Sequence, residues 1–555
     1  MDLKFLEMKN YKILSTWLLT AVLLGTASCK KELDVKNPNS PTLEQAGTES
    51  GIISLASGGI YLSGFNGSNP SVLNGLNALG DSYFSQGIQY HELLGDNIGA
   101  EASNININVV NLPDYAIFDD NTKTTNSSPQ KSVLRISNTR DKRPSNVFYL
   151  EWTYMYGLNN ACNQVLALVD DIKFSGDEAT KKNTIKAWCY WWKGFAYSKL
   201  GSLYYAGLIN DKVNGITSAY VNSAALIAES DKNLDAAAAL LTGITNTADY
   251  QVVMEKLIPS FVQTGNGTVP NPTMFVHNIN SLKARNIVAN KKVVDMTSAD
   301  WSKVLTLVNS GITSSDNVFA GRTSVSNGFF SATGGSVAAL TTGPPKSSTF
   351  KISERFIQSY QTGDKRLSNN FTAITPYLNQ VGGFTFSTRW QLEDGGKNLP
   401  GVQVLSDRTP GNYQLYIGPS YEENELMKAE ALINTGSVPA ALQSIDNVRA
   451  AQGAGLAPLA GTNLSTAQAT AMLRSERRVA LVFRGLAFYD ARRYGIIYDI
   501  SKGGGITDAV IVGSTGTVST HATINYNFLD YWDVPADEAV LNPPDAGSAP
   551  IVNPN

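Results

Sequence analysis

Two helical runs joined by a four-residue turn, Tyr421 to Asn434 and Pro439 to Gln452, restrict this chain more than any other stretch. The link is Thr435-Gly436-Ser437-Val438. Gly436 suits the left-handed residue that closes a helix, and Pro439 suits the first turn of the next. So short a link makes the two helices antiparallel neighbours. The run that follows, Ser475 to Gly495, sets Val479, Val482, Phe483, Leu486 and Tyr489 close to the i, i+3, i+4, i+7 spacing of one buried helical face. Its charges gather at the ends: Glu476, Arg477 and Arg478 before the apolar face, Asp490, Arg492 and Arg493 after it. The spacing predicts a third helix, with its Arg and Asp residues in structural ion pairs to the array.

Helical periodicity recurs upstream, over Tyr149–Ile172, Ala179–Tyr205, Tyr220–Leu241, Val276–Asn290 and Ser298–Ser310. The run Trp188-Cys-Tyr-Trp-Trp192 could display a platform for sugars, but at helical spacing it reads as core. Between Gly311 and Gly418 the periodicity fails, except for a helix expected over Lys351–Gln361. Gly, Ser, Thr and Pro dominate there, and aromatics (Phe329, Phe330, Phe384, Phe386, Trp390) are scattered among them. Long irregular insertions in a helical scaffold tend to carry binding surfaces. Ser103-Asn-Ile-Asn-Ile-Asn108 alternates like a short strand or extended loop, Asp119–Asn146 reads as a polar surface loop, and Gly503–Asn527 reads as loop or short strands. The expected fold is mainly α: a tetratricopeptide-like helical-repeat scaffold with long irregular loop insertions and a few short strands.

Composition narrows the function. Net charge is -3 and charged residues make up 16%, which argues against nucleic-acid binding. A surface built from Asn, Ser, Thr and Tyr suits neutral polar ligands. Three Cys (Cys29, Cys162, Cys189) and three His lack metal-ligand spacing. His91-Glu-Leu-Leu-Gly95 lacks the second His of a zinc-protease helix, and Gly503-Gly-Gly505 lacks the Lys of a phosphate loop. No nucleophile elbow is present. The chain reads as a binding protein without catalytic residues, metal or cofactor.

Lys9 and Lys12, the apolar run Ile13–Leu24 and the small residues Gly25 to Ser28 lead into Cys29. The apolar run is too short for a membrane span of roughly 20 residues. This pattern resembles the lipobox of bacterial lipoproteins, with Cys29 as the acylated residue. Residues 30–42, rich in Asn, Pro and Ser near their end, then suit a tether. Cys162 and Cys189 lie on expected helices and read as small core residues.

Taken in order, several motifs resemble the SusD/RagB family of Bacteroidetes outer-membrane lipoproteins. They are Cys29 with Leu33-Asp34; Trp152, Tyr156 and Asn160 to Asn163; Lys186 to Leu203; Leu282-Lys-Ala-Arg285; and Asp364-Lys-Arg366. Further on come Ala429-Glu-Ala431 with Asn447-Val-Arg449, Glu476-Arg-Arg478 with Gly485, Asp490 and Arg493-Tyr-Gly495, and Pro535 to Pro543. The resemblance implies a signal peptide over residues 1–28, a lipid tether over 29–45 and a SusD-like domain over 46–555. Within that domain the scaffold would occupy about 149–310 and 421–495, and a ligand-facing insertion about 311–418. It implies a nutrient-binding protein, lipid-anchored on the outer membrane and facing outward, that delivers an oligosaccharide or polysaccharide to a SusC-like TonB-dependent transporter. Peptides or other nutrients are the alternative ligands, and a structural adaptor is a third reading. Ligand contacts are expected from loops, at Asp96, Asn104, Asn106, Phe329, Phe330 and Trp390. Where the family can carry aromatic platforms after Asp96, this chain has Ala100, Ala102, Asn104 and Asn106, a departure that points away from a starch-like ligand.

Overall fold

The computed structural model describes residues 47–57, 87–102, 105–258, 269–322, 332–381 and 386–555. Cys29, Asn104, Phe329, Phe330 and Phe384 lie outside them. In chain order the helices are α1 (Glu49–Ser57), α2 (Ile88–Leu94), α3 (Ile105–Val109), α4 (Gln130–Ser137), α5 (Val147–Leu166) and α6 (Glu178–Leu203). Then come α7 (Ser223–Thr242), α8 (Thr247–Leu257), α9 (Pro272–Ala289), α10 (Ser298–Asn309), α11 (Val337–Thr341), α12 (Glu354–Ile357) and α13 (Lys365–Asn370). The last are α14 (Tyr421–Asn434), α15 (Val438–Ala451), α16 (Thr466–Ala480), α17 (Ala487–Arg493) and α18 (Ala536–Leu541). Strands are short: β1 (Ile98–Ala100), β2 (Tyr115–Ile117), β3 (Lys123–Thr125), β4 (Ala206–Leu208), β5 (Tyr220–Asn222) and β6 (Ala320–Arg322). They continue with β7 (Phe350–Ile352), β8 (Phe371–Tyr377), β9 (Thr388–Leu392), β10 (Gln414–Tyr416), β11 (Ile506–Val512) and β12 (Val518–Asn525).

Helices α5, α6, α7, α9, α10, α14, α15 and α16 pack side by side in that order, as a repeat array does. Their starts follow from local chemistry. Asn271 caps α9 through Met274 N–H (2.9 Å), with Pro272 at its first position. Thr297 and Asp300 form a capping box on α10, and Ser465 and Gln468 form one on α16. Gly436 closes the α14 end at φ 84°, the left-handed conformation that glycine adopts without strain.

The tryptophan run is core. Trp188, Trp191 and Trp192 are fully buried on α6. The ring of Phe319 packs 4.1 Å from Trp191, and Phe195 stacks on it at 5.6 Å. Phe319 lies near the start of the irregular insertion and Gly418 at its end, and Gly418 also lies against the Trp191 ring. Between them β6 pairs antiparallel with β10. The insertion therefore leaves the array and returns through a two-stranded neck pinned on one indole. Cys162 on α5 and Cys189 on α6 are free, buried neighbours, and burial together with the nearby Cys162 thiol pushes the Cys189 thiol up.

Several expectations change. The run from Ser475 to Gly495 is not one helix. It breaks between Ala480 and Ala487, where Phe483 and Gly485 take φ of 63° and 70°. The apolar residues stay buried across the break, so periodicity alone could not reveal it. Tertiary bonds hold the turn: Glu92 accepts the Gly485 N–H (3.1 Å), and Arg484 donates to Ser420 (2.6 Å) and Glu422 (2.8 Å). The helix expected over Lys351–Gln361 shrinks to the single turn α12, because Phe350–Ile352 instead pairs with β1. Residues 105–109 form α3 rather than a strand. There Asn108 takes the place of a strand partner, accepting from Ala102 N–H (2.6 Å) and donating to Ala102 C=O (2.7 Å). Asp119–Asn146 contains β3 and α4, and Gly503–Asn527 holds the hairpin β11–β12, which extends to β2 and β3 in a four-stranded antiparallel sheet.

Trp191→Ala should lower the unfolding free energy by about 3–5 kcal/mol, because it leaves a large cavity that the helices cannot close. Urea unfolding monitored by circular dichroism measures this; a cost under about 1 kcal/mol would contradict the pinning role.

Candidate functional site

The loop-bearing side is built on a buried node at the end of α2. Gly95 leads into Asp96, whose φ of 59° is the left-handed conformation that Asp and Asn tolerate better than most residues. This turn aims the carboxylate inward. Arg355 of α12 donates to it through Nε (3.0 Å) and Nη2, and Ser353 donates at 3.3 Å. Arg478 of α16 donates to the Asp96 carbonyl and, through Nε, to Asn97 Oδ1 (2.9 Å). Burial alone would raise the Asp96 carboxyl, yet the Arg355 guanidinium outweighs it and the pKa falls below the usual range. Asp96, expected as a ligand contact, is thus 4% exposed and engaged by two arginines.

One step further in, Glu92 is fully buried. It accepts from Asn97 Nδ2 (2.8 Å) and from Gly485 N–H. Burial pushes its carboxyl up to about 7, against the pull of these hydrogen bonds. No arginine bonds it directly, so burial wins.

From Asp96 the chain runs out along β1, which pairs with β7 in the register Gly99↔Lys351 and Ala100↔Phe350. Gly99 is required here, since a Cβ would fall 2.4 Å from Cβ of Phe386. Past β1 lies a polar cluster that the sequence reading missed. Tyr377, at the end of β8, donates to Glu101 Oε2 (2.7 Å), and Lys351 Nζ stands 3.5 Å from the same oxygen. Burial lowers the Lys351 pKa, while Glu101 opposes the shift. Burial and then the Glu101 hydrogen bond push Tyr377 up to about 12. Gln380, exposed, offers its backbone N–H toward Glu101 Oε1 (3.4 Å). Glu101 and Tyr377 are half-buried, so carboxylate and phenol reach solvent together. Such a pair suits vicinal hydroxyls: the carboxylate accepts, and the aromatic ring offers a face to C–H groups.

The remaining expected contacts divide. Asn106 falls on α3. Trp390 lies on β9 opposite Ala373 of β8, half-buried and packed against the core. Its strand neighbours on the same face, Thr388 and Leu392, are fully buried. Its indole nitrogen is buried without a protein partner. Trp390 is therefore a wall of this region more than a displayed platform.

Among the described residues, a cleft of about 390 Å³ opens elsewhere, over α5 and residues 209–217. Most of its amide N–H groups are occupied. Asn159 (2.7 Å) and Asn163 (3.0 Å) both donate to Asn210 C=O, and Asn160 pairs with Asn214. These bonds hold the loop in place and leave little for a ligand.

Residues 423–543 match the model of the SusD family. A likeness of fold to SusD-like proteins extends over most of the chain. A SusD superfamily protein from Bacteroides vulgatus is similar at TM-score 0.53 and 16% identity, over 89% of this chain and 97% of its own. A SusD-like carbohydrate binding protein from the same organism gives 0.54 and 15%, over 91% and 98%. A SusD superfamily protein from Bacteroides thetaiotaomicron gives 0.53 and 15%, over 89% and 96%. At such identities the likeness is one of fold. Comparison with curated protein sequences finds no match.

In this SusD-like frame the motif residues are scaffold. Glu476 takes Arg366 (2.5 Å) and Arg449 (2.9 Å), and Asp364 also bonds Arg366 (2.8 Å). Arg493 bridges Glu430 (2.6 Å) and Asp490 (2.7 Å).

Glu92 gives a pH test. Its folded pKa lies above the ordinary 4.5, so its contribution is fully present below that value and is lost as pH rises through about 7. Relative to Glu92→Gln, the wild-type chain should lose about 3 kcal/mol of stability between pH 4.5 and 8. Denaturant unfolding of both proteins across that range checks it; a stability difference independent of pH would contradict it.

Proposed function

We propose that the protein is a lipid-anchored binding protein of the outer membrane that captures a glycan on its loop-bearing face and passes it to a TonB-dependent transporter. The observation that carries this reading is the SusD-family match over residues 423–543, on a fold similar to SusD superfamily structures over about nine-tenths of the chain. One of those structures is described as carbohydrate binding. In this reading residues 46–555 form the binding domain, and Cys29 carries the acyl chains that hold it at the membrane. Among the described residues no helix is long and apolar enough to cross a membrane.

Glu101 and Tyr377 are the contacts we assign first, with Trp390 as a wall beside them. Asn104, Asn106, Phe329 and Phe330 complete the proposed ligand set. Asp96 acts as the positioning residue that fixes where β1 emerges. A carboxylate, a phenol and a backbone amide in one cluster support hydroxyl-rich ligands over peptides.

Calorimetric titration of the protein lacking residues 1–29 against a panel of neutral oligosaccharides should show saturable binding of at least one. Tyr377→Phe and Glu101→Gln should each weaken it roughly 5- to 50-fold, the range for one lost hydrogen bond to a charged or neutral partner. Saturable peptide binding with no glycan bound would overturn the glycan reading. In cells, Cys29→Ala should release the protein from the membrane fraction, and unchanged retention would refute acylation there.

A further inference from the structure

Helix α16 carries Arg474, Arg477 and Arg478 at i, i+3 and i+4, so the three guanidinium groups share one face. That face borders a cleft of about 180 Å³ between α16, α17 and the turn after α2. Gly95 and Asn97 close one side. Leu481, Leu486 and Ala487 form an apolar wall, and Ser359 and Ser475 add hydroxyls.

Three arginines and one carboxylate, Asp490, line the cleft. Asp490 is shared: it accepts from Arg477 Nε (3.0 Å) and Nη2 (3.1 Å) and also from Arg493. Asp96 is likewise shared between Arg355 and Arg478. The Nη1 of Arg477, a side chain 4% exposed, has no hydrogen-bond partner in the protein. Arg474 is exposed, and among the described residues it has no carboxylate within ion-pair distance. It lies over the Tyr494 ring at 4.3 Å, which holds its planar group at the rim. Glu92 lies nearby behind Asn97, is bound by no arginine and titrates near neutrality. Crowding by Arg355 adds to burial in lowering the pKa of Arg478. A buried guanidinium N–H without an acceptor is a cost that an anion would remove.

We propose that this cleft is an oxyanion-binding site, which takes the carboxylate or sulfate group of an acidic saccharide. The cleft has room for one charged group and a short apolar body, not for a sugar chain. Arg474 supplies an exposed guanidinium fork, and Arg477 and Arg478 line the cleft beside it, a setting in which the planar fork takes an oxyanion through paired hydrogen bonds. The saccharide part of this inference rests on the glycan-binding reading; the oxyanion part does not.

The test is isothermal titration of the full chain with sodium sulfate and with sodium glucuronate, at ionic strength held constant with sodium chloride, with glucose as the neutral control. Both anions should bind saturably in one-to-one ratio and glucose should not bind at this site. Arg474→Gln should weaken both anions at least tenfold while leaving the thermal midpoint and neutral-oligosaccharide binding unchanged. Absence of sulfate and glucuronate binding, or equal binding by Arg474→Gln, would overturn the site whatever neutral glycans do. Binding of sulfate but not of glucuronate would confine the cleft to an inorganic ion and overturn its role in recognising acidic saccharides.

Discussion

Everything on the loop-bearing side depends on how Asp96 is held. Its two arginines come from distant parts of the chain, 259 residues away in α12 and 382 residues away in α16. The carboxylate thus joins the N-terminal segment, the irregular insertion and the last helices of the array. Removing one partner of such a buried pair typically costs about 3–5 kcal/mol, mostly because the other charge is left uncompensated. The left-handed turn at Asp96 is part of the same device, since it alone brings the carboxylate inward while β1 continues outward. Glu92 performs the matching task one layer deeper: by accepting Gly485 N–H it holds the break between α16 and α17 open. These two acids, together with the pairing of β1 to β7, set the direction of the strand that leads to Glu101.

This division of labour explains why the most recognisable part of the sequence says least about the ligand. Glu430, Glu476, Arg477 and Arg493 are buried, Asp490 is half-buried, and each is bound to a partner on another element. Arg492 does the same with neutral acceptors, donating to the carbonyls of Ser202, Asp530 and Ala289. Substitution at any of these positions would leave a buried charge or carbonyl without its partner, so they bear on the scaffold. The residues that reach solvent near Glu101 and Tyr377 are under no such restraint, and a change of ligand can be accommodated there without disturbing the array.

Much of the fold could be read from residues alone. The helical spans, the hairpin closed by Gly436 and the core role of Trp188, Trp191 and Trp192 follow from periodicity and capping, which are local. The break at Phe483 could not be read, because its apolar spacing is continuous and its cause is a carboxylate nearly 400 residues away. Residues 105–109 misled for a related reason: alternating Asn and Ile imitates a strand, while the Asn108 side chain supplies the pairing that a strand would have needed. The site was less legible still. Asp96, expected as a ligand contact, is instead bound by Arg355 and Arg478. Glu101 and Tyr377 carried no signal, since their contact spans 276 residues and each is unremarkable by itself. Only the surplus of arginine on α16, visible as Arg474, Arg477 and Arg478, was present in the sequence without its meaning, which depends on where the acids end up.

A neutral glycan is proposed to meet the loop-bearing face and not the cleft over α5. A crystal structure of the protein with a bound neutral oligosaccharide tests it most directly. The account predicts sugar hydroxyls within hydrogen-bond distance of Glu101 or Tyr377. A sugar seated instead beside Asn160 and Asn214, over α5, with the loop-bearing face empty, would contradict it.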